Sequence, residues 1–424
     1  MTALFEQTLE TIRSFQLPGL PRREGEIHPF YGGLSIANLP ASICRWLDCP
    51  LDFGLPLDAA LTAGLPERFR NVILLVVDGM RLDLFGEYLR ADRALRGVMD
   101  GLQFAPLTSI APSTTSAALT TLWTGRLPAE HGIIGYELFL KEFGFIANMI
   151  THSVASFTRE NNNLVKAGFE AQQFLPVPTL SSHFRECGVT PHAMQHISLT
   201  RSGLTDMLFS GVESHAYRTQ SDMWARVEDI LESGTDQKQY IYIYWGDLDT
   251  QSHLYGPEDR QIRNEWEAFA ALMVPALECI NKMSHGETLF ILTADHGQIP
   301  TPIDSEMELR NHPDLTRHLV MLPSGESRLP YLFVKHGHEE WVRNYLASHW
   351  EGRFAMYPSA DVLESGLLGK CTPHAATIDR MGDLVVFPEG NAYWWWVNKE
   401  NRLLGRHGGL SAQEMLVPLV LLPL

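Results

Sequence analysis

Six consecutive apolar residues, Val72 to Val77, run into Asp78 and Gly79. A second run, Tyr240 to Trp245, leads to Asp247, Asp249 and His253, and a third, "LFILTA", ends at Asp295 and His296. Short apolar runs without an alternating polar face predict strands buried on both sides, as in a parallel sheet covered by helices. Between and after them, "SDMWARVEDILES" and "DRQIRNEWEAFAALMVPALECINKM" carry apolar residues three and four apart, which predicts amphipathic helices. The alternation predicts an α/β fold with a mostly parallel sheet sandwiched between helices.

The pattern also divides the chain. Residues 1–70, rich in Pro and Gly, read as an extended lead-in packed on the core. Residues 71–304 and 401–424 read as the α/β domain, and 305–400 as a smaller inserted α+β cap. The cap is expected to hold a strand in "LPYLFVKHG", a helix in "EEWVRNYLASHW" and a stretch "DLVVFPEGNAYWWWVN", whose aromatics Tyr393 to Trp396 read as core.

All three apolar runs end in carboxylates. An acid beside a histidine at one strand end can simply cap a turn, but three strands ending alike ask for a common cause. In open α/β sheets ligands collect beyond the carboxyl ends of the strands. Carboxylates gathered there are very costly to bury unless cations neutralise them. Convergence implies a metal.

Composition narrows the partners. The 424-residue chain is 45% hydrophobic and 20% charged, as ordinary globular proteins are, with 33 Lys plus Arg against 50 Asp plus Glu, a net charge of −17. Such an acidic surface excludes generic binding to nucleic-acid polymers, which relies on clustered cations, and favours a small substrate. The first residues carry acids where a secretion signal carries basic groups, and no stretch approaches the ~18 apolar residues of a membrane span. Five cysteines without a CxxC (Cys44, Cys49, Cys187, Cys279, Cys371) suit reduced thiols rather than a disulfide framework. The expectation is a cytoplasmic protein that does not engage a membrane.

"APSTTSAALTTLWTGRLPAEHGI" adds a hydroxyl-rich helix start: Ser113, Thr114, Thr115 and Ser116 precede an apolar helix with Gly125 at its end. Free N–H groups and the helix dipole at such a start hold phosphate oxygens, and a hydroxyl there becomes a nucleophile when a metal stabilises its alkoxide. Spacing alone leaves the four hydroxyls equivalent.

The motifs "VVDGMR", "APSTTSAALTTLWTGRLPAEHGI", "DTQSHLYGP", "TADHG" and "RHGG", in this order, resemble those of the alkaline phosphatase superfamily, within it the nucleotide pyrophosphatase/phosphodiesterase branch. The Asp-x-x-x-His followed by Tyr-Gly-Pro is the most specific of them. The resemblance implies an alkaline-phosphatase-like fold and two divalent metal ions, with Asp249, His253 and His407 holding one and Asp78, Asp295 and His296 the other. It places the catalytic threonine nine residues before the Thr of a Thr-Gly, here Thr115 before Thr124-Gly125, and makes Thr115 a ligand of the second ion. Mixed carboxylate and imidazole ligands suit zinc best, with manganese or iron as alternatives. The implied reaction is hydrolysis of a small phosphorylated substrate by two in-line displacements through a phospho-threonine. Asp247 is read as supporting Asp249, His131 as a packing residue, and Arg81 and Arg406 as either phosphate binders or structural ion pairs.

Two departures from the branch stand out. Thr115 is followed by Ser116, Ala117 and Ala118 where the branch has Thr-x-Pro-Asn, and the branch's phosphate-binding asparagine, twenty-one residues on, falls at Tyr136. Tyr136 is therefore either a substitute donor to the phosphoryl group or a packing residue. Alternatives within the superfamily are a phosphonoacetate hydrolase or a phosphomonoesterase, and outside enzymes a catalytically silent metal-binding or signalling protein.

Overall fold

The computed structural model describes residues 2–98, 102–155, 161–233 and 237–424. Seven strands among them form the main sheet: Asn71–Val77 (β1), Gln103–Thr108 (β2), Val189–His196 (β3), Glu213–Tyr217 (β4), Lys238–Trp245 (β5), Thr288–Thr293 (β6) and Leu416–Pro423 (β7). Their order is β2-β7-β6-β1-β5-β3-β4. β1 pairs in parallel with both β5 and β6, and β3 with both β4 and β5. Only β7 runs against this direction, pairing antiparallel with β6 and β2. The fold is the expected α/β one, with the three acid-tipped strands adjacent at its centre.

Why these runs lack a polar face is visible in β5. Side chains alternate across a strand, and Tyr240 and Tyr242 meet Trp123 of the helix Thr115–Thr124 on one face, while Trp245 stacks on Phe269 of the helix Arg260–Ser284 at 3.8 Å on the other. With helices on both sides, neither face tolerates a polar residue, and Val72 to Val77 of β1 are all fully buried.

Two parts depart from the sequence expectation. The lead-in is not extended throughout: Ala3–Ser14 is a helix, capped by Thr2, that buries Phe5, Leu9 and Ile12, and Leu39–Trp46 is a second one. The Pro/Gly-rich stretch between them masks this periodicity. A second, antiparallel sheet follows the order Phe354–Pro358, Leu384–Pro388, Leu329–Leu332, Ser324–Glu326, Glu137–Leu140, Phe145–Asn148, Ser153–Val154. Its last three strands come from 137–154, a stretch expected in the α/β domain, because strand pairing joins segments far apart in sequence. The junction pairs Gly325 with Glu137, and a side chain on Gly135 would come within 2.9 Å of the Gly325 Cα, so the crossing needs glycine. Tyr393 and Trp394 lie in a satellite core with Trp350 and Leu384, as read from the sequence, whereas Trp396 is only partly buried. Among the described residues no helix is long and apolar enough to cross a membrane.

Candidate active site

The carboxyl ends of β1, β5 and β6 deliver Asp78, Asp249 and Asp295 to one place. Gly79 turns the chain after β1 with φ +74°, and a side chain there would press to 3.2 Å on Asp249. After β5 the chain enters the helix Asp247–Tyr255, where one turn separates Asp249 from His253 and brings the His253 Nε2 to 3.4 Å from the Asp249 carboxylate. After β6, Asp295 and His296 are both fully buried. His407 arrives from the chain's return toward β7.

Two groups of ligand-type atoms, each mutually within 4.8 Å, result: Asp78, Asp295 and His296, and Asp249, His296 and His407. The His296 Nε2 stands 3.4 Å from Asp78 and 3.5 Å from Asp295, and its ring stacks on His407 at 3.7 Å. The histidine assigned from sequence to one group thus touches both. His253 borders the second group through Asp249.

The donor chemistry fits cations. Asp78 Oδ1 and Asp295 Oδ2 are buried oxygens with no hydrogen-bond partner. Burial, and the Asp249 and Asp295 carboxylates beside it, push the Asp78 carboxyl well above the usual carboxylate range, and burial pushes Asp295 up to about 6. Burial also holds His296 down to about 4 and His407 to about 3, so both rings are neutral, the form that ligates metal. Their other nitrogens are fixed by backbone carbonyls: His407 Nδ1 by Ser113 at 3.0 Å, His296 Nδ1 by Gly297 at 3.1 Å, and likewise His253 Nδ1 by Gly405 at 2.8 Å. Carbonyls that orient imidazoles in this way are the usual support of metal-binding histidines.

Thr115 opens the helix Thr115–Thr124, with Thr114 as N-cap, no side chain capping it, and Gly125 closing it at φ 66°. The Thr115 Oγ1 lies 3.1 Å from His296 Nε2. Of the four hydroxyls at this helix start, Ser113 turns away to the backbone of Gly409 and Ser116 to that of Gly135, Thr114 faces the larger cavity, and Thr115 stands at the ligand cluster against His296.

Several supporting residues were not signalled by the sequence. The Tyr244 hydroxyl donates to Asp78, and Gln298 donates to the carboxylate and, at 3.2 Å, to the carbonyl of Asp249. Glu326 accepts from the Tyr136 N–H at 2.7 Å, and burial, with help from Glu137 and Glu414, pushes its carboxyl up to about 8. Glu414 pairs with Arg328 at 2.8 Å and accepts the Gly409 N–H at 2.9 Å, bracing the loop that carries His407. No local pattern could have announced these contacts, apart from the Tyr-rich alternation of β5 that puts Tyr244 on one face.

The remaining residues fall out as follows. Asp247 accepts from the Trp245 indole at 3.0 Å, and His131 is buried against Thr121. Arg81 is engaged by Asp83 and Glu258, and Arg406 by Thr301, Asn401 and the ring of Tyr393. Tyr136 is 39% exposed and faces a cavity with Thr115, which Asn148 also lines. That cavity, of about 610 Å³, is walled by Trp395, Trp396 and Glu326, and a second one of about 180 Å³ also reaches Thr115 and Asp249.

Comparison with known proteins gives the family and related folds. A family model described as type I phosphodiesterase / nucleotide pyrophosphatase matches residues 72–410. Among solved structures, murine ectonucleotide pyrophosphatase / phosphodiesterase 5 superposes with a TM-score of 0.58 at 18% identity, over 82% of this chain and 87% of that one. An inactive form of the murine protein in complex with AMP gives 0.58 at 17% identity, over the same shares. Phosphonoacetate hydrolase from Sinorhizobium meliloti 1021, in complex with phosphonoformate, gives 0.60 at 16% identity, over 84% of this chain and 92% of that one. At these identities the likeness is one of fold. The search of curated proteins found no match.

Proposed function

The chain belongs to the type I phosphodiesterase / nucleotide pyrophosphatase family, and from that premise we propose that this metal-dependent phosphoester hydrolase cleaves small phosphoric diesters, nucleotide-like ones included, with Thr115 as nucleophile. The observation that carries the reading is the convergence of Asp78, Asp295 and His296 on the Thr115 hydroxyl, with Asp249 and His407 beside them.

Asp78, Asp295, His296 and Thr115 would hold one divalent ion, and Asp249, His253 and His407 the other, with zinc best suited to the mixed oxygen and nitrogen donors. Two such ions supply positive charge that eases loss of the hydroxyl proton and steadies the entering and leaving oxygens. The chain's own groups do the rest. Thr115 Oγ1 attacks phosphorus in line as one P–O ester bond breaks, that oxygen leaving as the alcohol with the hydroxyl proton; water then cleaves the phospho-threonine in a second displacement, releasing the monoester and restoring the Thr115 hydroxyl. The first-turn N–H groups that follow Thr114, which no side chain caps, would be available to the attacked group's non-bridging oxygens. The Tyr136 phenol, on the wall of the larger cavity, would donate to a phosphoryl oxygen.

A diester is favoured over a monoester for two reasons. A diester carries a substituent on each side of phosphorus, and two cavities meet at Thr115. A monoester carries extra negative charge, while Arg406, on the wall of the larger cavity, is already satisfied by Thr301 and Asn401. The five cysteines are free thiols, which supports a reducing compartment such as the cytoplasm.

The test is a comparison of kcat/KM for an aryl diester, the matching monoester, nucleotides and a phosphonate on metal-loaded protein. Faster diester cleavage is expected. A clear monoester preference would move the assignment to a phosphomonoesterase, phosphonate cleavage alone to a phosphonoacetate hydrolase, and absence of any turnover to a silent metal-binding protein.

A further inference from the structure

Three of the five cysteines meet far from the catalytic residues. Cys44 lies near the end of the helix Leu39–Trp46, and the chain then doubles back: Asp48 takes a left-handed φ of 58°, and the Cys49 N–H returns to the Cys44 carbonyl at 2.8 Å. That turn places both thiols on one side. Facing them is the end of the helix Leu180–Glu186, followed by Cys187, where one helical turn sets His183 and Cys187 on the same face. The ligand atoms of Cys44, Cys49 and His183 lie within 4.8 Å of one another. Cys187, one helical turn after His183, is close enough to Cys49 for the two thiols to interact electrostatically.

From this arrangement we propose that Cys44, Cys49, His183 and Cys187 form a structural site for a thiophilic divalent ion, zinc or its equivalent, separate from the catalytic pair. Three thiolates and one imidazole around zinc are a closed, tetrahedral, structural set, with Zn–S near about 2.3 Å and Zn–N about 2.0 Å. Cys44, Cys49 and His183 are already gathered within 4.8 Å of one another, and Cys187 would complete the set. His183 Nε2 is held by the Cys49 carbonyl at 2.8 Å, which leaves the neutral ring's lone pair on Nδ1. Two ligands are buried, His183 is half-buried and Cys187 is exposed, so an ion has a way in.

Binding releases the three thiol protons to solvent and leaves the filled site with one net negative charge. Lys238 stands beside it, its ammonium bonded to the Leu47 carbonyl at 2.9 Å and to Asp48 at 3.3 Å. The location fits a structural role. Cys187 precedes β3 and Lys238 begins β5, so the cluster sits at the amino-terminal edge of the parallel strands, opposite the end that carries Asp78, Asp249 and Asp295. An ion there ties the first 70 residues to the α/β domain.

Cobalt(II) titration of the reduced, metal-free full-length protein tests this. The catalytic groups contain no sulfur, so a near-ultraviolet thiolate-to-cobalt charge-transfer band reports the cysteine cluster alone, whatever the fate of the proposed activity. The expected result is such a band, reaching the amplitude of one thiolate-bound cobalt per chain once all sites are filled, lost in Cys49→Ser and retained in Cys371→Ser. Absence of the band in the unmutated protein at saturating cobalt overturns the proposal without requiring any variant to fold. So does a band that persists in Cys49→Ser and Cys44→Ser alike, or a Cys44–Cys49 disulfide that forms in air despite saturating zinc.

Discussion

The hydroxyl of Thr115 stands 3.1 Å from Nε2 of His296, and the same nitrogen lies within 3.5 Å of both Asp78 and Asp295. A helix start and the ends of two parallel strands are thereby locked to one point. Because the carboxylates there are crowded and partly without partners, ions that bind the folded state stabilise it strongly. A ligand present at a hundredfold excess over its Kd contributes about 2.7 kcal/mol. Chelation is therefore expected to abolish turnover and lower Tm together, with both restored by zinc or manganese. Calorimetry with paired activity assays checks this, and undiminished activity in demonstrably metal-free protein would contradict it.

Tyr136 lies on the wall of the cavity that reaches Thr115. A hydrogen bond from the phenol to a charged phosphoryl oxygen is worth roughly 1.5–3 kcal/mol, about ten- to a hundredfold in rate. Tyr136→Phe is expected to lower kcat by that factor without changing Tm. A kcat within about twofold of the unmutated protein's, well under the 1.4 kcal/mol of a tenfold change, makes Tyr136 a packing residue.

Glu326 gives the protein a pH signature. Its carboxyl is raised from 4.5 to about 8, burial being the main cause. Below the lower value it is protonated in folded and unfolded chains alike. Between the two, only the unfolded chain releases the proton, so this group's contribution to stability falls as pH rises to about 8 and then levels off. Glu326→Gln, which keeps the shape and lacks the titration, should gain Tm relative to the parent over that window in metal-free protein. Parallel Tm-versus-pH curves for the two would show that Glu326 ionises normally.

The buried pair of Arg328 and Glu414 joins the second sheet to the loop carrying His407. Removing one member of a buried pair typically costs 3–5 kcal/mol, an order-of-magnitude figure, because the other charge is left uncompensated. Glu414→Ala should lose stability on that scale in a denaturant titration, and also lose affinity for the ion at the Asp249 group through a freer His407. 

The sequence carries much of this site openly. Asp78, Asp249, Asp295 and His296 are legible because a strand buried on both faces has no polar residue until it leaves the sheet, so the first acid marks the strand end. Thr115 is legible only with the resemblance, since its neighbours Ser113, Thr114 and Ser116 offer the same chemistry until the fold turns two of them toward backbone carbonyls. Gln298, Glu326 and the cysteine cluster are not legible. Each depends on pairing between segments far apart in the chain, as when residues 137–154 join the strand Ser324–Glu326. The helix Ala3–Ser14 escapes notice for a different reason: its periodicity is brief and the Pro/Gly-rich chain that follows dominates the composition.

The central claim is that Thr115 attacks phosphorus from within the Asp and His cluster. Its most direct test is turnover of an aryl diester by Thr115→Ala and Thr114→Ala, each loaded with the same metal content as the parent. Thr115→Ala should fold, retain most of its metal and lose several orders of magnitude in kcat, whereas Thr114→Ala should be mild. Near-normal turnover by Thr115→Ala, or a severe loss confined to Thr114→Ala, would contradict the account and place the nucleophile elsewhere.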